Sequence, residues 1–192
     1  TGWNVEFFDI PYCVNRIVKI LGDEYAKKLS PWGILDQKTV SFMGRDNQSF
    51  SPLGISVLDY LQLYKKFTYT NQESYRLDYI AQVELGQKKL DHSEFDTFKE
   101  FYTKDWKKFV DYNIIDVELV DRLEDKMKLI ELAITMAYDA KVNYGDVFYQ
   151  VRMWDNIIYN YLKKRNVVIP PKDRTEKSDK YAGAYVKEPI PG

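Results

Sequence analysis

Apolar residues recur at Val14, Ile17, Val18 and Leu21 behind Asp9-Ile10-Pro11, and Gly22 follows. Steps of three and four that open on a carboxylate and a proline and close on a glycine predict a helix here. Just before it Trp3, Val5 and Phe7 alternate with Asn4 and Glu6, the period-2 pattern of a strand, which sets Asp9 at a strand-to-helix junction. Thr39, Val40, Phe42 and Phe50 surround Gly44, Arg45, Asp46 and Asn47. That arrangement predicts a hairpin over Lys38 to Phe50 that turns at the glycine and the Asp-Asn pair. Gly54 to Tyr60 reads as another short strand, Tyr60 to Phe67 as a helix, and Ser74 to Gly86 as a helix with a glycine stop.

The longest helical pattern runs from Phe95 to Ala140, with a break expected near Asp111. Tyr112, Asp116, Leu119, Leu123, Met127, Ile130 and Ile134 fall on one face, so Asp116 interrupts an apolar stripe. A last helix is expected over Val147 to Arg165, burying Trp154, Ile157, Ile158 and Leu162. Between Lys163 and Lys187 eight basic residues outnumber three acidic ones, and the prolines nearby predict an extended basic linker.

Composition narrows the function classes. The 192 residues are 45% hydrophobic and 16% aromatic, enough for a buried core and too apolar for a disordered chain. Charges interrupt every apolar run before it reaches membrane-spanning length. One cysteine, Cys13, excludes an internal disulfide or a multi-cysteine zinc site, and points to a reducing compartment. One histidine, His92, excludes a His-rich metal centre. Chemistry is therefore expected to run on carboxylates. The formal net charge of −1 argues against strong sequence-independent DNA binding. Thr1 in place of an initiator Met, and the Pro-containing end at Gly192, give the expectation of a piece of a longer protein.

Two carboxylates stand out, each with two readings. Asp9 suits either an N-cap or a Mg²⁺ ligand held at the end of a strand. Asp116, on an apolar stripe, must be hydrogen-bonded, paired with a cation or bound to metal. Tyr112 lies one turn earlier on the same face, as a packed ring or as a hydroxyl reaching toward that carboxylate.

The stretches Thr1-Gly2-Trp3-Asn4-Val5-Glu6, Asp9-Ile10-Pro11-Tyr12 and Tyr112-Asn113-Ile114-Ile115-Asp116-Val117 resemble the second and third proofreading-exonuclease motifs of family B DNA polymerases of the T-even-like phage type. Gly54 to Tyr60, Trp154 to Ile158 and Gly183 to Pro189 are similar to that group as well. The resemblance implies an α/β chain with a partial RNase H-like 3′-to-5′ exonuclease fold, a β-hairpin and long helices. It implies that Asp9, Tyr112 and Asp116 are catalytic, with Asp9 and Asp116 as ligands of a two-Mg²⁺ site and Tyr112 positioning the attacking water. Asn4 and Phe8 would touch the single-stranded 3′ end, and Tyr181 and Gly183, in a Tyr-x-Gly-Gly/Ala-like motif, the template strand. Read without the resemblance, Phe8 suits core packing, Asn4 a turn hydrogen bond, and the Tyr181 region a solvated linker. The Lys38 to Phe50 hairpin would correspond to one used in strand separation.

The implied organisation is an exonuclease domain over 1–140, a helix packing on it over 141–166, and a linker toward the polymerase palm over 167–192. The family site uses four carboxylates, two from an Asp-x-Glu strand expected upstream, and the first palm motif is expected beyond Gly192. The implied partners are DNA, the remainder of the polymerase and a sliding clamp, in the cytoplasm of an infected bacterium, with no membrane. Alone, the chain is expected to be inactive. Two alternatives stay open: a non-catalytic single-stranded DNA-binding module that uses the basic tail, and a stand-alone exonuclease completed by another carboxylate such as Glu6.

Overall fold

A computed structural model describes residues 1–42, 45–91 and 93–171. The elements in chain order are α1 (Asp9–Leu21), α2 (Asp23–Lys27), β1 (Leu35–Phe42), β2 (Arg45–Pro52), α3 (Tyr60–Phe67), α4 (Leu77–Leu85), α5 (Phe98–Lys104), α6 (Trp106–Met127), α7 (Leu129–Ala140), a 3₁₀ turn (Tyr144–Phe148) and α8 (Gln150–Lys163). Packing divides the chain within α8, into a unit that ends at Ile157 and another that begins at Ile158. The core described here is that of the first unit. The architecture is mixed α/β, with several helices and a small two-stranded antiparallel sheet. No described helix is long and apolar enough to cross a membrane.

The expected hairpin forms, with strands longer than Lys38 to Phe50 and with Asp46 and Asn47 outside its turn. Phe42 pairs with Arg45, so Asp46 and Asn47 are strand residues opposite Ser41 and Val40. The strand expected over Trp3 to Phe7 is absent; residues 3–8 are bends and turns. Asn4 adopts a left-handed φ of 63°, which asparagine tolerates better than most residues. The amides of Asn4 and Glu6 bond the Asp59 carboxylate instead of a neighbouring strand. Gly2 makes the approach to Val5 possible, because a Cβ there would lie 2.6 Å from Val5 Cγ1. The segment from Gly54 to Asp59 is likewise no strand beyond an isolated bridge between Gly2 and Asp59.

α3 starts at Tyr60 because Asp59 caps it, accepting from Leu61 N–H. α4 ends where Gly86 takes an αL conformation. The break expected near Asp111 falls instead at Asp105, whose carboxylate accepts from Lys108 N–H and caps α6. A second break comes at Lys128, in αL geometry, where the Glu124 carboxylate accepts from Ile130 and Glu131 N–H and heads α7. The stripe continued through both helices therefore does not stay on one buried face: Leu119 and Leu123 are buried and Ile134 is exposed.

Tyr60, Leu63 and Tyr64 of α3, Ile80 and Ala81 of α4, Leu119 and Leu123 of α6, and Ala133 and Ala137 of α7 form the main core. The alanines let α7 approach α3 closely, and α4 packs on α6. Val14, Ala26 and Phe50 form a smaller cluster that ties α1 and α2 to the hairpin. Phe101, fully buried, gathers the rings of Phe95, Phe109 and Tyr112 at centroid distances of 4.9, 5.3 and 5.8 Å. This aromatic cluster fixes the α5–α6 corner and with it the first turns of α6. α8 departs from expectation, since none of its residues is buried and Trp154 is 62% exposed.

Candidate functional site

The turn that replaces the expected strand is held firmly. Phe8 N–H bonds Asn4 C=O, Ile10 N–H bonds Val5 C=O, and Tyr60 N–H bonds Gly2 C=O at 2.8 Å. Trp3 donates its indole N–H to Tyr75 C=O and lies beside the rings of Tyr60 and Tyr64. Asn4, Phe8 and Asp9 are thereby presented at the head of α1. Phe8, not Asp9, occupies the N-cap position and makes no side-chain cap, so Asp9 is the first helical residue. Phe8 is 66% exposed and not a core residue.

From the other end of the sequence α6 brings Tyr112 and Asp116. Asn4, Phe8, Asp9, Tyr112 and Asp116 all line one cleft of about 1420 Å³, together with the start of the loop that follows α4. Its ionisable side chains are mostly acidic: Asp9, Asp78, Asp91, Asp116, Asp121 and Glu124 against Arg76, Lys88 and Lys89. Such a concave, negatively charged surface draws a cation and repels a bare phosphate backbone.

Lys89 was not legible as a site residue, yet it organises the far wall. Its Nζ lies 2.7 Å from Asp116 Oδ2 and 3.5 Å from the Tyr112 hydroxyl, 5.3 Å from the centre of that ring. Its own N–H donates to Asp78 Oδ1 at 2.9 Å, which ties the loop back to α4. The other oxygen, Asp116 Oδ1, is buried and accepts no hydrogen bond from the described residues. A buried carboxylate oxygen left this way is costly unless a cation or donor reaches it.

Burial, the largest influence, raises the Asp9 pKa above the ordinary carboxylate value; its own backbone N–H acts in the opposite sense, and the negative charge of Asp59 adds to the rise. Asp59 itself is only 2% exposed. It was missed as a site residue, although an aspartate immediately before a predicted helix is an N-cap signal. Glu6 does not line the cleft; its carboxylate accepts from Ser49 Oγ at 3.2 Å. Among the described residues no group of three or more Asp, Glu, His or Cys side chains is arranged to hold a metal. Tyr181, Gly183 and His92 lie outside the described residues.

The family model for "DNA polymerase family B, exonuclease domain" matches residues 1–80, the half of the cleft that carries Asn4, Phe8 and Asp9. That family of domains is generally dependent on divalent metal. The DNA-directed DNA polymerase of Escherichia phage RB69 is 44% identical over 191 residues, covering 100% of this chain and 21% of that protein. The DNA-directed DNA polymerase of Enterobacteria phage T4 is 38% identical over 191 residues, with the same coverage of 100% and 21%. The DNA polymerase delta catalytic subunit of Mesocricetus auratus is 25% identical over 203 residues, covering 100% of this chain and 18% of that protein. The chain thus spans about a fifth of the length of the curated relatives it matches. Residues 1–80 are thus similar to family B exonuclease domains, and the chain over its full length is similar to about a fifth of the DNA-directed DNA polymerases of phages RB69 and T4.

Proposed function

We propose that this chain contributes the cleft of a Mg²⁺-dependent 3′-to-5′ proofreading exonuclease to a phage replicative DNA polymerase. The supporting observation is the meeting of Asn4, Phe8 and Asp9 with Tyr112 and Asp116 in one acidic cleft, more than a hundred residues apart in sequence. Asp9 and Asp116 would hold the metal, and the unpartnered, buried Asp116 Oδ1 suits a cation ligand. The chemistry that bound Mg²⁺ supplies is acidification of a water and neutralisation of charge on the phosphodiester.

The remaining work falls to the chain's own groups. Phe8, exposed at the rim, stacks on an unpaired terminal base whatever its identity. Asn4 contacts the 3′-terminal nucleotide. The Tyr112 hydroxyl orients the water that attacks phosphorus, and the bond to the 3′ oxygen of the preceding nucleotide breaks, releasing a nucleoside monophosphate. Tyr181 and Gly183 contact the template strand in this reading.

The same proposal takes 1–140 as the latter part of an RNase H-like exonuclease domain, 141–166 as a helical extension and 167–192 as the linker toward a palm. Its partners are single-stranded 3′ ends, template DNA, the rest of a polymerase and, through it, a sliding clamp, in the cytoplasm of an infected bacterium. With no group of three acidic or other ligating side chains among the described residues, the chain alone is expected to bind Mg²⁺ weakly and to cut DNA negligibly. Incubation with Mg²⁺ and a 5′-labelled single-stranded oligonucleotide tests this. Retention without shortening is expected, and rapid digestion abolished by Asp116→Ala would refute the expected inactivity. Binding unaffected by Asp9→Ala, Asp116→Ala and Phe8→Ala would move the DNA contact out of the cleft and favour a non-catalytic binding module.

A further inference from the structure

We infer that Asp59 is a positioning residue for the 3′-end contacts, a role that rests on the proposed reading of the cleft. The carboxylate gathers amides from two remote segments. Oδ1 accepts from Asn4 N–H at 2.9 Å and Leu61 N–H at 3.0 Å, and Oδ2 accepts from Glu6 N–H at 3.1 Å. Leu61 belongs to α3, so one side chain both caps that helix and fastens to it the turn that begins α1. The link is reinforced by Tyr60 N–H on Gly2 C=O.

The turn needs such an anchor. Asn4 sits at φ 63°, a conformation that non-glycine residues adopt only when their surroundings determine it. Asn4 C=O in turn receives Phe8 N–H at 3.1 Å, so the position of Asn4 sets the direction in which Phe8 and Asp9 leave the turn. Asp59 does not line the cleft; it acts through the backbone of residues that do. A neutral cap would satisfy α3 equally well. A carboxylate that is 2% exposed and bound by three backbone amides instead gives strong, directional bonds to the turn.

The test uses the 192-residue chain, Mg²⁺, and two 5′-fluorescein oligothymidylate probes whose linkages are phosphorothioates, one linear and one a closed circle of the same length. The ratio of their affinities, read by anisotropy, reports recognition of a 3′ end, and a residue that merely stabilised the fold would leave that ratio unchanged in the folded protein. Asp59→Asn keeps an acceptor for Asn4 and Leu61 but turns a donor toward Glu6 N–H. It is expected to retain the wild-type far-ultraviolet circular dichroism and to lower the linear-over-circular ratio by about fivefold, with Asp59→Ala, where it folds, lowering it by about tenfold or more. A folded Asp59→Asn protein with the wild-type ratio overturns the inference. Phe8→Ala and Asn4→Ala separate the two claims. If they too leave the ratio unchanged, the reading of the cleft has failed and the role of Asp59 falls with it; if they lower the ratio and Asp59→Asn does not, only the role of Asp59 is refuted.

Discussion

Replacing Lys89 by methionine probes the cleft where its electrostatics are most exposed to measurement. The ammonium stands 2.7 Å from Asp116 Oδ2, with side-chain exposures of 21% for the lysine and 29% for the aspartate. Two unit charges about 4 Å apart attract by about 4 kcal/mol at an effective dielectric of about 20. Partial solvation and the cost of desolvating both groups reduce the net value to about 1 kcal/mol. A divalent ion that uses Asp116 must compete with that pair. Removing the ammonium while keeping the stem is therefore expected to tighten metal binding by about fivefold, the equivalent of about 1 kcal/mol. Titration calorimetry with Mn²⁺ on wild type, Lys89→Met and Lys89→Arg provides the comparison, the arginine variant staying near wild type. Without metal, Lys89→Met is expected to unfold at lower urea concentration, because Asp116 then loses the ammonium that pairs its Oδ2; saturating Mn²⁺ closes that gap. Unchanged or weaker Mn²⁺ binding by Lys89→Met would refute the reasoning.

Other perturbations have equally definite outcomes. Folding favours protonated Asp9, whose raised pKa means that its contribution to stability is full below the unfolded carboxylate value and lost as pH rises through the folded one. Asp9→Asn is therefore expected to gain thermal stability relative to wild type between pH 4 and pH 7 while losing Mn²⁺ affinity; equal differences in unfolding temperature at both pH values would contradict this. Phe8→Ala should weaken binding of single-stranded DNA by about tenfold with little change in stability, since the ring is 66% exposed; anisotropy and thermal melts read the two separately. Leu123→Ala, at a fully buried position, is expected to cost about 3 kcal/mol in urea unfolding. Gly54→Ala should cost about 1–2 kcal/mol by the same assay, because φ is +88° and a Cβ would lie 2.8 Å from Pro31 Cγ.

Local chemistry was legible where a single residue decides it. Gly86 ends α4 as a left-handed cap, and the pattern of Tyr60 to Phe67 gives α3 with the same bounds. Errors arose where tertiary contacts overrule a local pattern. The alternation of Trp3, Val5 and Phe7 resembles a strand, yet a carboxylate 55 residues away takes the Asn4 amide and turns the chain. Asp111 looked like a helix start, but Asp105 has the cap geometry and Asp111 lies inside α6. Asp116 could be singled out because a carboxylate on an apolar stripe demands a partner. Its partner Lys89 could not, because nothing in a polar loop shows that its backbone is tied to Asp78. The apolar residues of α8 predicted a buried side that does not form, since none of them is buried among the described residues.

Paramagnetic broadening by Mn²⁺ tests the central claim most directly. Substoichiometric Mn²⁺ is added to the ¹⁵N-labelled chain with a phosphorothioate-protected single-stranded oligonucleotide, and amide signals are followed for wild type and Asp116→Asn. The signals of residues 4–9 and 112–117 are expected to broaden first, and Asp116→Asn to abolish the effect. Broadening centred elsewhere, or undiminished in Asp116→Asn, would contradict the assignment of this cleft as a metal-dependent nuclease site.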